Sequence, residues 1–228
     1  MLGAAASSIA TYMPKVTLTF DNGPTPETTP QVLDCLARHD VKATFFVVGS
    51  RACSEAGASL VRRAHEEGHW IGNHTFSHRT PLGELDGETA VREVERAQEV
   101  LSHLVPSTRL FRPYARAGRL GRHLLHPAVI ETLQSGKYTC VLWNCVPGDW
   151  RDPEGWQELA MAHYRSHPWS LIVLHDQPGA AMAHLDRFLG QMRDEGVELR
   201  QDFPSDCVPI VEGNIVHPLD PYTAEIPQ

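Results

Sequence analysis

The sequence lacks the features that define two large classes of protein. No apolar run approaches the roughly 18 residues that a membrane-crossing helix needs. No block of Lys or Arg is present, and 28 acidic residues outnumber 20 basic ones, which gives the 228-residue chain a formal net charge of −8. Because binding to a nucleic-acid backbone depends on clustered cations, we expect neither a nucleic-acid partner nor a membrane.

A disulfide pattern is also missing. The five cysteines are odd in number and contain no C-x-x-C pair, which is typical of buried thiols in a reducing compartment. Residues 1–14 form an N-terminal extension with no basic side chain and only a short apolar stretch. A secretory signal needs a cationic start and a longer apolar core, so we expect no signal and a cytoplasmic location.

From Lys15 onward, short β-branched or aromatic runs alternate with longer segments of helical period. The predicted strands cover residues 16–20, 43–48, 70–71, 109–111, 138–143, 171–174 and 197–200. The predicted helices cover residues 28–39, 54–67, 86–104, 123–135, 154–166 and 180–194. Seven strands separated by helices indicate an α/β fold, either a barrel or a doubly wound sheet.

The chain contains no internal repeat and no low-complexity linker, so residues 15–203 are predicted to form one domain. The pattern changes only after Phe203, where five prolines fall within residues 204–228. Proline fixes φ and removes a hydrogen-bond donor, so this segment is predicted to be an extended arm. The arm would lie on the domain or on a partner, which leaves a homo-oligomer open.

Side chains that can do chemistry follow five of the predicted strands. They lie in segments 19–24, 73–78, 111–114, 143–150 and 171–176. Taken singly, each segment has an ordinary explanation, such as a turn, a local ion pair or a structural histidine. In a parallel barrel, however, the carboxyl ends of the strands meet at one rim. We therefore expect these five segments to come together.

Histidine is the residue in excess, with 13 copies, about twice its ordinary usage. Two histidines four residues apart can hold one metal ion from one face of a helical turn. Three pairs have this spacing: His65/His69, His74/His78 and His163/His167. Glycine or proline at or beside the first and third pairs indicates helix ends, and only the second follows a strand. Spacing alone leaves metal binding and an ordinary turn both open.

In their order along the chain, the five segments resemble the polysaccharide deacetylase family, also called carbohydrate esterase family 4 or the NodB-homology domain. The family pattern runs T-F-D-D-G, H-x-x-x-H, R-P-P-Y, D-x-x-D-W and L-x-H, and the matching stretches are 19–23, 74–78, 112–114, 146–150 and 173–175. The resemblance covers about residues 15–200. It implies a distorted (β/α) barrel, commonly of seven strands, and a hydrolase that removes an acetyl group from an oligosaccharide or small amide substrate.

The resemblance also implies catalytic roles for four residues. Asp21 would be the general base that takes a proton from water, and Arg112 would pair with it. His175 would be the general acid that protonates the departing amine, and Asp149 would hold its ring. This set is complete, which argues against a catalytically silent protein.

The same resemblance implies a site for one divalent metal ion, zinc in first place, with cobalt, nickel or manganese as alternatives. The implied ligands are His74, His78 and Asn22. Asn22 stands where the family usually has Asp, so the site loses one negative charge and is expected to bind metal more weakly. The implied substrate-binding residues are Tyr114, whose backbone would help to stabilise the oxyanion, and Trp150 and Val173, which would enclose the acetyl methyl group.

Several alternatives stay open. The Asn22 change allows a site that works without metal. The barrel could hydrolyse a non-sugar C–N bond, such as that of a cyclic amide or ureide, or it could bind carbohydrate without catalysis. Cys145 lies near the same rim, but a thiolate nucleophile needs a cationic or helix-terminal setting, so a buried structural thiol is the default interpretation.

Overall fold

A computed structural model describes residues 13–179 and 182–225. Its strands are β1 (Lys15–Asp21), β2 (Thr44–Val47), β3 (Trp70–Asn73), β4 (Leu110–Phe111), β5 (Thr139–Cys140), β6 (Trp169–His175), β7 (Glu198–Arg200), β8 (Ile210–Val211) and β9 (Asn214–Ile215). Its α-helices are α1 (Thr29–Arg38), α2 (Gly49–Ala52), α3 (Glu55–Glu66), α4 (Gly87–Leu104), α5 (Pro127–Ser135), α6 (Trp156–Ser166) and α7 (Met182–Asp194). None of these helices is long and apolar enough to span a membrane.

The strands form one curled sheet around an inner core. Strands β1 to β6 are parallel and lie in the order β6-β1-β2-β3-β4-β5, and β7 pairs with the first half of β1. Beyond β5 the chain returns to β6, where the backbone N–H of Cys145 donates to the carbonyl of Leu171 and its carbonyl accepts from Val173. The prediction of an α/β barrel with about seven parallel strands is confirmed.

Side chains along β1 and β6 point alternately to an outer core and to an inner core, and the last residues of both strands lie at the rim of the barrel. Val16, Leu18 and Phe20 of β1 face outward and pack with the helices. Inward-facing positions of β6, including Val173, pack with the aromatic and aliphatic side chains of the inner core. Because side chains alternate along a strand, Asp21 is on the face opposite Phe20, at the inner rim. His175 pairs with Asp21 in register, so the last residues of both strands reach the rim together.

Most predicted elements differ from the observed ones by one or more residues at an end, as three examples show. The predicted strand 138–143 is a strand only at Thr139–Cys140, because the N–H of Leu142 donates to the carbonyl of Cys207 instead of to a neighbouring parallel strand. The predicted helix 54–67 begins at Glu55, where the Ser54 side chain caps the backbone N–H of Gly57 at 3.0 Å. The predicted helix 123–135 begins at Pro127, and a 3₁₀ turn precedes it.

The C-terminal segment lies on its own domain. Strand β8 pairs antiparallel with β5, and β9 returns along β8. Ile210 of β8 is fully buried in the inner core, together with Cys207. Strand β8 of the predicted arm therefore contacts the domain. Residues 226–228 of the arm, and residues 1–12 of the predicted N-terminal extension, lie outside the described residues.

The burial of β8 predicts its contribution to stability. Ile210→Ala is expected to lower the free energy of unfolding by about 2–5 kcal/mol, because it removes buried methyl and methylene groups from the inner core. Ile215→Ala on β9 is the matched control, because that side chain is 48% exposed and its loss is expected to change stability by about 0.5 kcal/mol or less. Denaturant unfolding measures both. Equal, small effects would show that the arm is not part of the core.

Candidate active site

All five segments that the sequence predicts to meet do so at the carboxyl ends of the parallel strands. They surround one cavity of about 190 Å³. Asp21, Asn22, His74, His78, Tyr114, Trp150, Val173 and His175 line it. Arg112 and Asp149 are fully buried behind this lining and contact it from below. The structure thus brings together every residue to which the sequence assigns a role, whereas their catalytic and ligand roles stay predictions.

A buried guanidinium holds the predicted base. The Nη1 atom of Arg112 donates to Asp21 Oδ1 at 2.8 Å and to Thr19 Oγ1 at 2.7 Å. The other nitrogens donate to the carbonyls of Val141 and Leu142, both at 3.1 Å, and the guanidinium lies 4.0 Å from the ring centroid of Phe46. A buried charge requires a partner of opposite sign, and Asp21 supplies it. Asp21 Oδ2 is left free of this ion pair.

The two predicted ligand histidines lie side by side. Their ring centroids are 4.8 Å apart. His74 Nδ1 donates to the carbonyl of Arg112 at 2.9 Å, which leaves the Nε2 lone pair available, 3.7 Å from Asp21 Oδ2. Burial lowers the pKa of His74, and burial together with the neighbouring His74 lowers the pKa of His78 to about 2. Both rings are therefore neutral, the form that binds metal.

The H-x-x-x-H pair does not lie on a helical turn. Thr75 and His78 have φ values of 64° and 52°, in the left-handed region, and the segment is an irregular turn. Asn73 stabilises this turn by accepting from the backbone N–H of Thr75 at 2.9 Å and donating to the carbonyl of Val94 at 2.9 Å. The turn with these two left-handed residues carries both rings, whose centroids are 4.8 Å apart.

Asn22 provides a direct test of whether the site fits a cation. Its amide nitrogen donates to Gln177 Oε1 at 3.4 Å, and its Oδ1 is buried without a hydrogen-bond partner among the described residues. An unpartnered buried acceptor is costly in the absence of a ligand. Asn22 lines the same cavity as the two neutral imidazoles. Two ring nitrogens and one oxygen are a donor set that suits a divalent transition-metal ion.

The predicted acid is bound to a buried carboxylate through two hydrogen bonds. Asp149 Oδ1 accepts from His175 Nδ1 at 2.7 Å, and Oδ2 accepts from the backbone N–H of His175 at 2.8 Å. Burial alone would lower the pKa of His175, but the hydrogen bond and charge of Asp149, with the charges of Asp21 and Asp176, raise it above the usual value. The Trp150 ring packs edge-on against the imidazole at 4.6 Å. His175 Nε2 is the nitrogen left for a substrate.

Sequence reasoning did not identify Asp176, a buried carboxylate beside the site. Its Oδ2 accepts from Thr29 Oγ1 at 2.6 Å, its backbone carbonyl accepts from Thr25 Oγ1 at 2.6 Å, and Oδ1 has no partner among the described residues. A Cβ atom on Gly23 would lie 1.9 Å from Oδ2, so only glycine allows this approach. Asp176 thus joins the loop after β1 to the loop after β6. The sequence places Asp176 directly after His175, but this position does not predict that the carboxylate is buried.

Cys145 and the two other histidine pairs do not line the cavity. Burial raises the pKa of Cys145 to about 12, so this residue is a neutral thiol and the interpretation as a structural residue holds. His69 accepts from the backbone N–H of Ala43 at 3.1 Å, and burial lowers its pKa to about 4. His163 and His167 stack with ring centroids 3.9 Å apart at the end of α6. The pairs His65/His69 and His163/His167 lie away from the cavity.

Comparison with known proteins agrees with the geometry. A family model described as polysaccharide deacetylase matches residues 9–120. Over 192 residues the chain is 34% identical to a chitooligosaccharide deacetylase from Sinorhizobium fredii, with 82% of each chain covered. The chain belongs to the polysaccharide deacetylase family. The match to this hydrolase family confirms the resemblance stated from the five segments.

Two other family members extend the comparison. A peptidoglycan-N-acetylglucosamine deacetylase from Bacillus cereus is 32% identical over 187 residues, which cover 80% of this chain and 64% of that one. The solved structure of a family 4 acetyl xylan esterase from Clostridium thermocellum, in complex with a cobalt ion, matches with a TM-score of 0.68 and 26% identity. That match covers 82% of this chain and 87% of the esterase. The barrel is therefore the one that family members share.

The buried Asp176 predicts how stability depends on pH. Burial raises the pKa of Asp176 to about 7, above the ordinary value of 3.8. A proton bound more tightly in the folded state stabilises that state at low pH, and this contribution is lost as the pH rises from about 4 to 7. Asp176→Asn cannot ionise, so its melting temperature relative to the wild type is expected to rise between pH 5 and pH 8.

Calorimetry at both pH values measures this difference, because 1 kcal/mol shifts the melting temperature of a domain of this size by about 2–4 °C. Asp206→Asn is the control, because Asp206 is an exposed carboxylate and its variant is expected to follow the wild type at both pH values. If the difference between Asp176→Asn and the wild type did not change with pH, Asp176 would not be a proton-binding group in this range.

Proposed function

We propose that this protein is a metal-dependent hydrolase that removes the acetyl group from an N-acetylated sugar. One observation carries the proposal. Asp21 and His175 lie opposite each other in register on adjacent strands and line one cavity with two neutral imidazoles, and Asp149 binds His175. Relatives named for chitooligosaccharide and peptidoglycan substrates support an oligosaccharide of N-acetylglucosamine as the substrate class.

His74, His78 and Asn22 would hold the metal ion, through His74 Nε2, the ring of His78 and Asn22 Oδ1. Zinc is the first choice because imidazole suits it, with cobalt, nickel or manganese as alternatives, and the cobalt-bound esterase neighbour supports a dication at this kind of site. When bound, such an ion makes water more acidic and polarises the acetyl carbonyl. The neutral Asn22 amide, in place of a carboxylate, makes this a weak site.

Asp21 acts as the general base through Oδ2. Arg112 occupies Oδ1 at 2.8 Å and stays charged, so the carboxylate is oriented with its other oxygen directed away from the ion pair. Oδ2 accepts a proton from the attacking water as that water adds to the acetyl carbonyl carbon. His74 Nε2, 3.7 Å from Oδ2, is too far for a strong competing hydrogen bond. Asp21 therefore remains available to the water.

His175 acts as the general acid through Nε2. The pKa of His175 is raised, which favours the protonated ring, and Asp149 fixes the ring by holding Nδ1 and the backbone N–H. When the C–N bond breaks, Nε2 donates its proton to the sugar amine, and acetate is the second product. The Asp149 contact stabilises the imidazolium before transfer and orients the neutral ring afterwards.

The substrate is held by residues on the cavity wall. The backbone N–H of Tyr114 stabilises the negative charge that develops on the acetyl oxygen. The Tyr114 ring packs on His78, with centroids 4.0 Å apart, and restricts its orientation. Trp150 and Val173 provide apolar surface for the acetyl methyl group. Both lie beside His175, so the methyl pocket adjoins the general acid.

The proposal predicts metal-dependent release of acetate from N-acetylglucosamine oligomers. Asp21→Asn and His74→Ala are each expected to reduce kcat/KM by about 100-fold or more, because a general base or a metal ligand is lost. His65→Ala, at an exposed position on α3, is the control and is expected to keep full activity. Acetate is measured with and without a chelator and with added zinc, cobalt or manganese.

Each other result has a definite meaning. Unchanged turnover after chelation would contradict the metal requirement. Hydrolysis of a cyclic amide or ureide without acetate release would indicate the non-sugar C–N alternative. Binding of the oligomers without hydrolysis of any amide would indicate a silent carbohydrate-binding protein and would overturn the proposal.

The Asn22 ligand predicts a gain of affinity from a single substitution. Asn22→Asp adds a negative charge next to the dication and is expected to tighten zinc binding at least about tenfold, equivalent to ~1.4 kcal/mol. Competition with a chromophoric chelator measures the dissociation constant. Asn214→Asp on the exposed strand β9 adds the same charge away from the cavity and is expected to leave the constant unchanged. Equal constants for wild type and Asn22→Asp would remove Asn22 from the ligand set.

A further inference from the structure

A second group of metal-binding side chains lies outside the barrel, between α1 and α7. Cys35 lies in the last turn of α1, His39 follows that helix directly, and Asp186 lies in the second turn of α7. One ligand atom from each, Cys35 Sγ, His39 Nε2 and an Asp186 carboxylate oxygen, lies within 4.8 Å of the other two. This cluster, which we call the α1–α7 cluster, shares no residue with the cavity described above.

The distances within the cluster suit a tetrahedral ion. Zinc binds sulfur at about 2.3 Å and nitrogen or oxygen at about 2.0–2.2 Å, so its ligands are about 3.3–3.7 Å from one another. Asp186 Oδ1 is 3.1 Å from His39 Nε2 and 3.8 Å from Cys35 Sγ. The third pair, Cys35 Sγ and His39 Nε2, lies within 4.8 Å, so one ion can reach all three atoms once side-chain rotation brings these two closer, with its fourth position open to water.

The ligand types point to a particular class of cation. A thiolate and an imidazole together favour zinc-like ions over calcium or magnesium, which prefer oxygen. Without an ion, burial raises the pKa of Cys35 to about 11 and keeps the residue a thiol. The charge of Arg38 partly offsets this rise, and the charge of Asp186 adds to it. A bound dication reverses this balance, because coordination to a metal deprotonates a thiol outright. The proton leaves to solvent through the exposed Asp186 side.

One cation already contacts the cluster. Arg38 Nη2 lies 2.9 Å from Asp186 Oδ1, and both side chains are mostly exposed, at 60% and 64%. An ion pair that is so exposed contributes little, and the carboxylate has a second oxygen to which Arg38 can move. Arg38 therefore does not block the site.

We propose that Cys35, His39 and Asp186 form a second metal site, of the zinc type, that joins α1 to α7. The consequence for the barrel follows from chain order. Helix α1 follows the loop of Asp21 and Asn22, and α7 follows the loop of His175 and Asp176. An ion that holds the two helices together stabilises the two loops relative to each other and stabilises the folded chain by mass action. The site does not depend on the proposed deacetylase function.

Cobalt binding tests the site by a signal that the catalytic cavity cannot give. Titration of the full chain with Co²⁺, under a reductant that is not a thiol, is expected to produce a near-ultraviolet thiolate-to-cobalt charge-transfer band. The ligands proposed for the cavity, His74, His78 and Asn22, contain no sulfur. Cys35→Ser is expected to abolish the band, whereas His74→Ala and Cys53→Ser, which removes the exposed cysteine, are expected to keep it.

Asp186→Asn provides a second variant that does not disturb the core, because Asp186 is exposed. The Co²⁺ concentration at the midpoint of the titration is expected to rise at least about tenfold, equivalent to the loss of ~1.4 kcal/mol of binding free energy. Zinc content after dialysis is expected to fall by one ion per chain in Cys35→Ser relative to wild type. A wild-type chain without the band, or a band that persists in Cys35→Ser, would overturn the proposal whatever the result of the acetate assay.

Discussion

The contact between Arg112 and Asp21 is the interaction on which the rest of the site depends. A guanidinium that is fully buried within a barrel costs several kcal/mol of desolvation unless a carboxylate and further acceptors surround it. The fold supplies both, with Asp21 and Thr19 from β1 and the carbonyls of Val141 and Leu142 from the segment after β5. The carbonyl of Arg112 in turn orients His74. One residue thereby fixes the base, a predicted ligand and the barrel wall.

Three carboxylates near the rim have different environments, and each environment suits a different function. Asp21 faces a buried cation, and Asp149 is bound through both oxygens to His175. Asp176 accepts from a hydroxyl and lies against a glycine backbone, and burial raises its pKa to about 7. The first suits proton uptake, the second stabilises an imidazolium, and the third links two loops.

Much of this arrangement could be predicted from the sequence, because it follows from local rules. Period-two alternation in β1 and β6 places Asp21 and His175 on the inner face, and parallel strands bring their carboxyl ends to one rim. The count of 13 histidines was less informative, since only three line the cavity.

What could not be predicted depends on contacts distant in sequence or on irregular backbone. Strands β8 and β9 have two residues each, too short for a periodic signal. The spacing of His74 and His78 does not indicate the left-handed Thr75 and His78, and the buried state of Asp176 follows from its contact with Thr29 of α1. In the α1–α7 cluster, the spacing of Cys35 and His39 is visible in the sequence, but Asp186 lies 147 residues beyond His39. Only the packing of α1 on α7 brings them together.

The central claim is that Asn22, His74 and His78 together hold a metal ion beside the proposed base and acid. The most direct measurement is anomalous X-ray diffraction at the zinc absorption edge from crystals grown with zinc. The account predicts an anomalous peak in the cavity, bonded to His74 Nε2, the ring of His78 and Asn22 Oδ1. A chain that releases acetate in the same zinc-containing solution, but whose crystals show no peak at these three residues, would contradict it.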